Sequence, residues 1–256
     1  MKKQNNKKTG FISRLGKSRS LKSCKGIRRL LKTIAYNLYN EVAYVTIGVR
    51  YVDYWKKDDF FLKLFDEIKS QTLLNPNKMF SLYQFAKCTV HLIGDVAELG
   101  VYKGGSAKIL SKMFEKHNPG KKILLFDTFK GLPPGDDKYD IHKEGDFGDI
   151  TFDEVEAFLQ DCNNVEFHKG LFSETLPKVP NKNFSFIHVD ADIYTSVKEC
   201  CEFFYPKMVR GGIIIFDDYS FICCPGVKKA VDEYFSDKPD NPVHLFTGQG
   251  LVIKQS

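Results

Sequence analysis

No stretch of this 256-residue sequence reaches the about 18 consecutive apolar residues that cross a bilayer, and no apolar core follows the basic start as a signal peptide requires. The chain is therefore expected to be soluble, not secreted, and cytoplasmic. Its seven cysteines include no CxxC pair, and an odd count without such spacing argues against a disulfide framework and for a reducing compartment. The adjacent pairs Cys200–Cys201 and Cys223–Cys224 have poor spacing for zinc and read as small buried hydrophobes. Internal repeats are absent, and so is low complexity beyond the start. Acidic residues are missing from positions 1 to 32, which hold 12 Lys or Arg, whereas the remaining 224 residues hold 26 basic and 32 acidic side chains. The overall net charge of +6 thus belongs to the start of the chain. Residues 1–26 read as a solvated basic arm; contact of residues 1–32 with nucleic acid or an anionic surface is the competing reading.

What is present suits one domain of moderate size: 43% apolar and 14% aromatic residues can bury one substantial core. Apolar residues recur at helical spacing over Ile27 to Leu38, Phe60 to Ser70 and Met79 to Leu92, so residues 27–92 are expected to form a helical cover, or lid. From Asp95 the pattern changes to short β-branched runs alternating with amphipathic stretches, the mark of a parallel sheet wrapped on both faces. The expected strands are Val96 to Val101, Lys122 to Thr128, Val165 to Lys169, Phe184 to Asp190 and Gly212 to Asp217. An antiparallel hairpin, Val243 to Thr247 with Leu251 to Lys254, follows them. Thr151 and Glu154 form a capping box that opens a helix through Leu159, and Tyr194 to Tyr205 and Val227 to Phe235 are two further helices. The core of this α/β fold is expected over residues 93–256.

In open α/β sheets ligands sit at the carboxyl ends of the strands. The first strand runs into Glu98-Leu-Gly100-Val-Tyr-Lys-Gly104-Gly105-Ser106, where glycines allow close backbone approach at a helix start. That spacing is not GxGxxG, which weakens a dinucleotide reading. The second strand ends in Asp127, where nucleoside-binding folds usually hold a ribose. The fourth ends in Asp190-Ala-Asp192 and the fifth in Asp217-Asp218. On neighbouring strands about 4.8 Å apart, four carboxylates would converge and repel, and a hard divalent cation resolves that conflict. An oxygen-only ligand set favours Mg²⁺, with Mn²⁺ or Ca²⁺ behind it, over zinc. Such an ion lowers the pKa of a hydroxyl, and a nearby carboxylate could then remove its proton.

The blocks VAELGVYKGGSA, LLFDTFKGLPP, VEFHKGLFSETLP, FIHVDADIYTS, YPKMVRGGIIIFDDYS and GVKKAVDEYF occur in order from about Tyr83 to the C-terminus. Together they resemble the macrocin O-methyltransferases, class I enzymes that methylate sugar hydroxyls. The resemblance implies a Rossmann-like class I methyltransferase fold with a mostly parallel seven-stranded sheet, S-adenosylmethionine as methyl donor, and Mg²⁺. By the same resemblance Glu98, Gly100, Val101, Tyr102, Ser106, Asp127, Thr128, Gly170 and Asp190 would line the donor's pocket. Asp190, Asp217 and Asp218 would ligate the metal, and Asp192 would be the general base, with the roles of Asp190 and Asp192 open to exchange. The acid-rich stretch Gly135 to Asp149 is expected to form a mobile loop over the acceptor. His142 and His188 are candidate auxiliary acid/base groups, against which stands the plainer reading of packed or solvated histidines. The acceptor is expected to be a small molecule or glycan hydroxyl, and a homodimer is a further expectation.

Two other functions compete. Asp190-Ala-Asp192 is also the acidic motif with which metal-dependent glycosyltransferases hold a nucleotide-sugar diphosphate. The basic arm could also carry the chain to RNA, although it lacks the interleaved aromatics of single-strand binders.

Overall fold

A computed structural model describes residues 53–255. The basic arm and the helix expected at Ile27 to Leu38 lie outside them. Two helices precede the sheet, α1 (Asp59–Ile68) and α2 (Pro76–Cys88). Asp58 caps α1 by accepting from the Phe61 amide, and Asn75 caps α2 by accepting from Asn77 and Lys78, with Pro76 occupying the first turn, where its missing N–H costs nothing. This chemistry starts α2 three residues before the expected Met79, and its last turn closes at Thr89 rather than running to Leu92.

The strands are β1 (Asp95–Leu99), β2 (Ile123–Asp127), β3 (Val165–Lys169), β4 (Phe184–Val189), β5 (Met208–Phe216), β6 (Val243–His244) and β7 (Gly250–Ile253). Between them run α3 (Gly105–His117), α4 (Phe152–Phe158), the single turn α5 (Phe172–Thr175), α6 (Tyr194–Phe204) and α7 (Pro225–Phe235). The seven strands are ordered β3-β2-β1-β4-β5-β7-β6; the first five are parallel, and β7 and β6 pair antiparallel. The expected Rossmann-like sheet with its closing hairpin is therefore present. Strand β5 starts at Met208, earlier than expected, because a register shift against β4 lets it pass through Gly211 and Gly212. Strand β6 is only two residues long: Leu245 turns back to bond Gln249, and Gly248 takes a φ of 90°.

Both faces of the sheet are covered. Leu99, Phe126, Ile187 and Ile214 meet α6 and α7 on one side. Val96, Leu125, Phe186 and Ile215 meet α3 on the other, together with Phe61, Ile68, Met79, Leu82 and Tyr83 from α1 and α2. Each such side chain contributes about 1.5–3 kcal/mol when fully buried. Helices α1 and α2 thus share the core they were expected to cover. The described residues belong to one compact unit.

Strand order reverses between β1 and β4, which opens a crevice at their carboxyl ends. Hydrogen bonds continue the ladder one step past each strand, Gly100 to Phe126, Gly170 to Asp127, Asp190 to Leu99 and Asp217 to Val189. Residues 100, 127, 170, 190 and 217 consequently stand at one level along the rim.

Candidate active site

The turn after β1 is fixed by backbone sterics. Gly100 has a φ of 90°, and a Cβ there would lie 1.8 Å from the Asp190 carbonyl oxygen, so only glycine allows the two strand ends to touch. Tyr102 also has positive φ, at 49°. Asp127 holds this turn: its Oδ2 accepts from the amides of Val101 (2.7 Å) and Tyr102 (3.0 Å), and its Oδ1 accepts from Phe129 (2.7 Å). The Thr128 hydroxyl closes the following turn by donating to the Gly131 carbonyl. Ser106 is buried in the first turn of α3, and Gly170 follows β3 with a φ of 141°. The residues expected around a donor therefore surround one rim of the crevice.

Glu98 and His188 are side by side on β1 and β4 and wholly buried. His188 Nδ1 lies 2.9 Å from Glu98 Oε1, and its Nε2 faces Asp217 Oδ1 at 3.8 Å. Burial alone would lower the imidazole's pKa, but Asp217 and Glu98 on either side lift it to about 10. His188 is accordingly a core residue held between Glu98 and Asp217. Glu98 Oε2 is buried and has no hydrogen-bond partner among the described residues. A buried carboxylate oxygen left in that state asks for a donor.

The carboxylates fall into two groups. Asp217 is surrounded by donors: its Oδ2 accepts from Lys78 Nζ (2.7 Å) and its Oδ1 from Gln249 Nε2 (2.8 Å). Burial would raise its pKa, yet His188 and Lys78 outweigh burial and hold it at about 2. Lys78 also reaches Asp218 Oδ1 at 2.9 Å. The second group is Asp190, Asp192 and Asp218, which present ligand oxygens within 4.8 Å of one another. Burial, then repulsion from Asp217, Asp218 and Asp192, pushes Asp190 well above the usual carboxylate range. Asp192 is raised likewise by burial and by Asp218. Asp192 also has a φ of 58°, uncommon for a non-glycine residue and typical of positions where a site fixes the backbone.

Of the four carboxylates anticipated from the sequence, three meet as a cation-ready cluster, and Asp217 stands behind them on an ammonium group. The donor set of that cluster, oxygen only and mutually repelling, fits a hard divalent ion. Sequence reasoning missed Lys78 and Gln249. Lys78 carried no signal because its partners are 139 and 140 positions away. Gln249 sits in the turn of the closing hairpin, 32 positions from Asp217.

The segment after β2 passes over this rim and is firmly tethered. Asp140, nearly buried, accepts from the Tyr194 amide at the start of α6 through Oδ1 and from the Asp136 amide through Oδ2. The Leu132 amide donates a further backbone bond to the Asp146 carbonyl. The loop expected over the acceptor is a strap tied to the start of α6 through Asp140, because a carboxylate at a helix N-terminus satisfies an otherwise orphan amide. His142, carried by the strap, comes near Asp192 and Cys224.

The chain matches the model of the macrocin-O-methyltransferase (TylF) family over residues 76–244. Demethyldecarbamoylnovobiocin O-methyltransferase of Streptomyces niveus is 31% identical over 153 residues, covering 55% of this chain and 58% of the relative. Mycinamicin III 3''-O-methyltransferase of Micromonospora griseorubida is 28% identical over 159 residues, covering 55% of this chain and 60% of the relative. The chain thus spans less than two thirds of either relative's length. Among solved structures, the O-methyltransferase NovP superposes with a TM-score of 0.66 at 25% identity, covering 73% of this chain and 83% of that one. Calicheamicin methyltransferase CalS11, at 17% identity and a TM-score of 0.59, shares the fold.

Proposed function

The chain belongs to the macrocin-O-methyltransferase family, and on that premise we propose that it transfers a methyl group from S-adenosylmethionine to a hydroxyl, on a sugar, with Mg²⁺ as cofactor. The observation that carries this reading is the meeting of Asp190, Asp192 and Asp218 at the carboxyl ends of β4 and β5, beside the Gly100 turn. The name of another relative, the 8-demethyl-8-(2,3-dimethoxy-alpha-L-rhamnosyl)-tetracenomycin-C 4'-O-methyltransferase of Streptomyces olivaceus, includes a rhamnosyl group, which supports a sugar hydroxyl as acceptor. Family membership also favours methyl transfer over the glycosyl transfer that Asp190-Ala-Asp192 alone allows.

In this reading the Gly100–Ser106 turn, Asp127, Thr128 and Gly170 enclose the donor. The unpartnered Glu98 Oε2 is suited to the ammonium of its methionine portion. Asp190 and Asp218 hold the metal, and Asp217, spent on Lys78 and Gln249, keeps Asp218 and the end of β5 in position. One or two carboxylates with water completing the shell is the usual protein contribution to Mg²⁺. The ion, when bound, supplies the positive charge that eases loss of the acceptor's proton. Asp192, in the same cluster as Asp190 and Asp218, takes that proton. The acceptor oxygen then attacks the methyl carbon as the carbon–sulfur bond breaks, a step governed by alignment.

Methyl transfer from labelled donor to glycosylated or sugar-nucleotide acceptors, with and without chelator, tests the reading. Activity should vanish with chelator and fall at least about 100-fold in Asp192→Asn, the usual scale for general-base loss, while donor binding measured by calorimetry persists. A protein that binds neither donor nor Mg²⁺ would sink it.

A further inference from the structure

His142, Asp192 and Cys224 each present one ligand atom, all within 4.8 Å of one another. They come from three separate elements: the strap after β2, the turn after β4, and the residue that opens α7. This is a nitrogen, an oxygen and a sulfur donor, a different chemistry from the oxygen-only cluster that also includes Asp192. Hard ions such as Mg²⁺ take oxygen; imidazole and thiolate select zinc-class ions.

Two geometric features suit an ion here. A tetrahedral zinc site with Zn–S about 2.3 Å and Zn–O about 2.1 Å separates its sulfur and oxygen ligands by about 3.6 Å, and Cys224 Sγ and Asp192 Oδ1 are 3.6 Å apart. His142 Nδ1 lies 3.0 Å from Asp146 Oδ2. A carboxylate on one ring nitrogen is the usual support of a metal-bound histidine; it fixes the tautomer and leaves the other nitrogen to coordinate. The ligand set is partly buried, at three protein donors, which leaves a fourth position for water or another ligand.

We propose that His142, Asp192 and Cys224 form a second, thiophilic metal site, of the zinc class, distinct from the Asp190–Asp218 oxygen site and sharing one rim with it. Binding replaces the thiol proton, which leaves to solvent, with the metal–sulfur bond. Because His142 belongs to the strap and Asp192 to the sheet rim, a bound ion pins the strap to the rim. It also occupies the carboxylate proposed above to accept the acceptor's proton, so zinc loading and methyl transfer exclude each other.

Cobalt(II) titration of the full-length protein in the absence of donor tests the site independently of any methyl transfer. The expected result is one equivalent of Co²⁺ with intense visible bands of tetrahedral coordination and a thiolate-to-cobalt charge-transfer band in the near ultraviolet. Both should be displaced by stoichiometric Zn²⁺ and persist in excess Mg²⁺. Cys224→Ser should lose the charge-transfer band, and His142→Ala, a change on a surface strap that leaves the core intact, should lose the tetrahedral intensity. A charge-transfer band that survives Cys224→Ser, visible bands that survive His142→Ala, or weak octahedral bands alone in the unaltered protein would overturn the proposal. Failure of these tests leaves the Mg²⁺ reading standing, and loss of methyl transfer to chelator does not affect them.

Discussion

Individual side chains at the rim do work that only their neighbours reveal. Lys78 holds buried Asp217 and partly buried Asp218 at once, and removing one partner of a buried ion pair leaves the other uncompensated. Lys78→Met should therefore cost about 3–5 kcal/mol in urea unfolding, with Lys78→Arg recovering most of the loss. An unchanged midpoint in Lys78→Met would show the pairing to be unimportant. Gly100→Ala is expected to be worse than a conformational penalty alone, because its methyl would overlap the Asp190 carbonyl. It should abolish donor binding in calorimetry even where the protein still folds. Gly100 could be marked from the sequence, since a glycine at that turn has a physical reason to be there. The division of Asp217 from the other three carboxylates could not, because both its oxygens are taken by distant groups, Lys78 on one and Gln249 on the other.

At the level of elements, capping chemistry was readable and tertiary anchoring was not. The Thr151–Glu154 capping box forms as its residues predict, with both reciprocal bonds present. The strap over residues 135–149 looked mobile because it is acid-rich and lacks apolar periodicity, yet Asp140 fastens it to the first turn of α6. Asp140→Ala removes two charge-assisted bonds to backbone amides, each worth about 1.5–3 kcal/mol. It should raise proteolysis and hydrogen exchange within 135–149 while leaving β1 through β5 protected. If the strap stays protected in that variant, some other contact anchors it. Strand lengths erred for the same reason: β5 gained residues where a register shift absorbed two glycines, and β6 lost them to a turn.

Across the whole molecule, charge is the property on which stability and partners turn. Lys121 is buried at the amino end of the sheet, donating to the carbonyls of Leu92 and Gly94 and to the Ser185 hydroxyl. Burial pulls its pKa down to about 8. The unfolded chain keeps this proton up to about pH 10.4, so between pH 8 and that point it binds more protons than the folded chain. Stability should then rise with pH, by up to about 3 kcal/mol from this group. Melting curves of the protein and Lys121→Met over that range should diverge in slope, and parallel slopes would refute the assignment. Removing residues 1–32 takes away 12 cations and no acids, turning a net charge of +6 into −6. The shortened chain should bind an anion exchanger at pH 7 and lose any salt-dependent retention on heparin. No helix among the described residues is long and apolar enough to cross a membrane. The sequence by itself determined the alternation of strands and helices, the glycine turn, and the placement of acids at strand ends, because periodicity, capping and backbone sterics are local. Only the tertiary structure decided that Lys78 and Gln249 together occupy both oxygens of Asp217 and that His142 and Cys224, 82 positions apart in sequence, meet at Asp192. Such pairings follow from how helices and loops pack on the sheet, and no spacing along the chain encodes them.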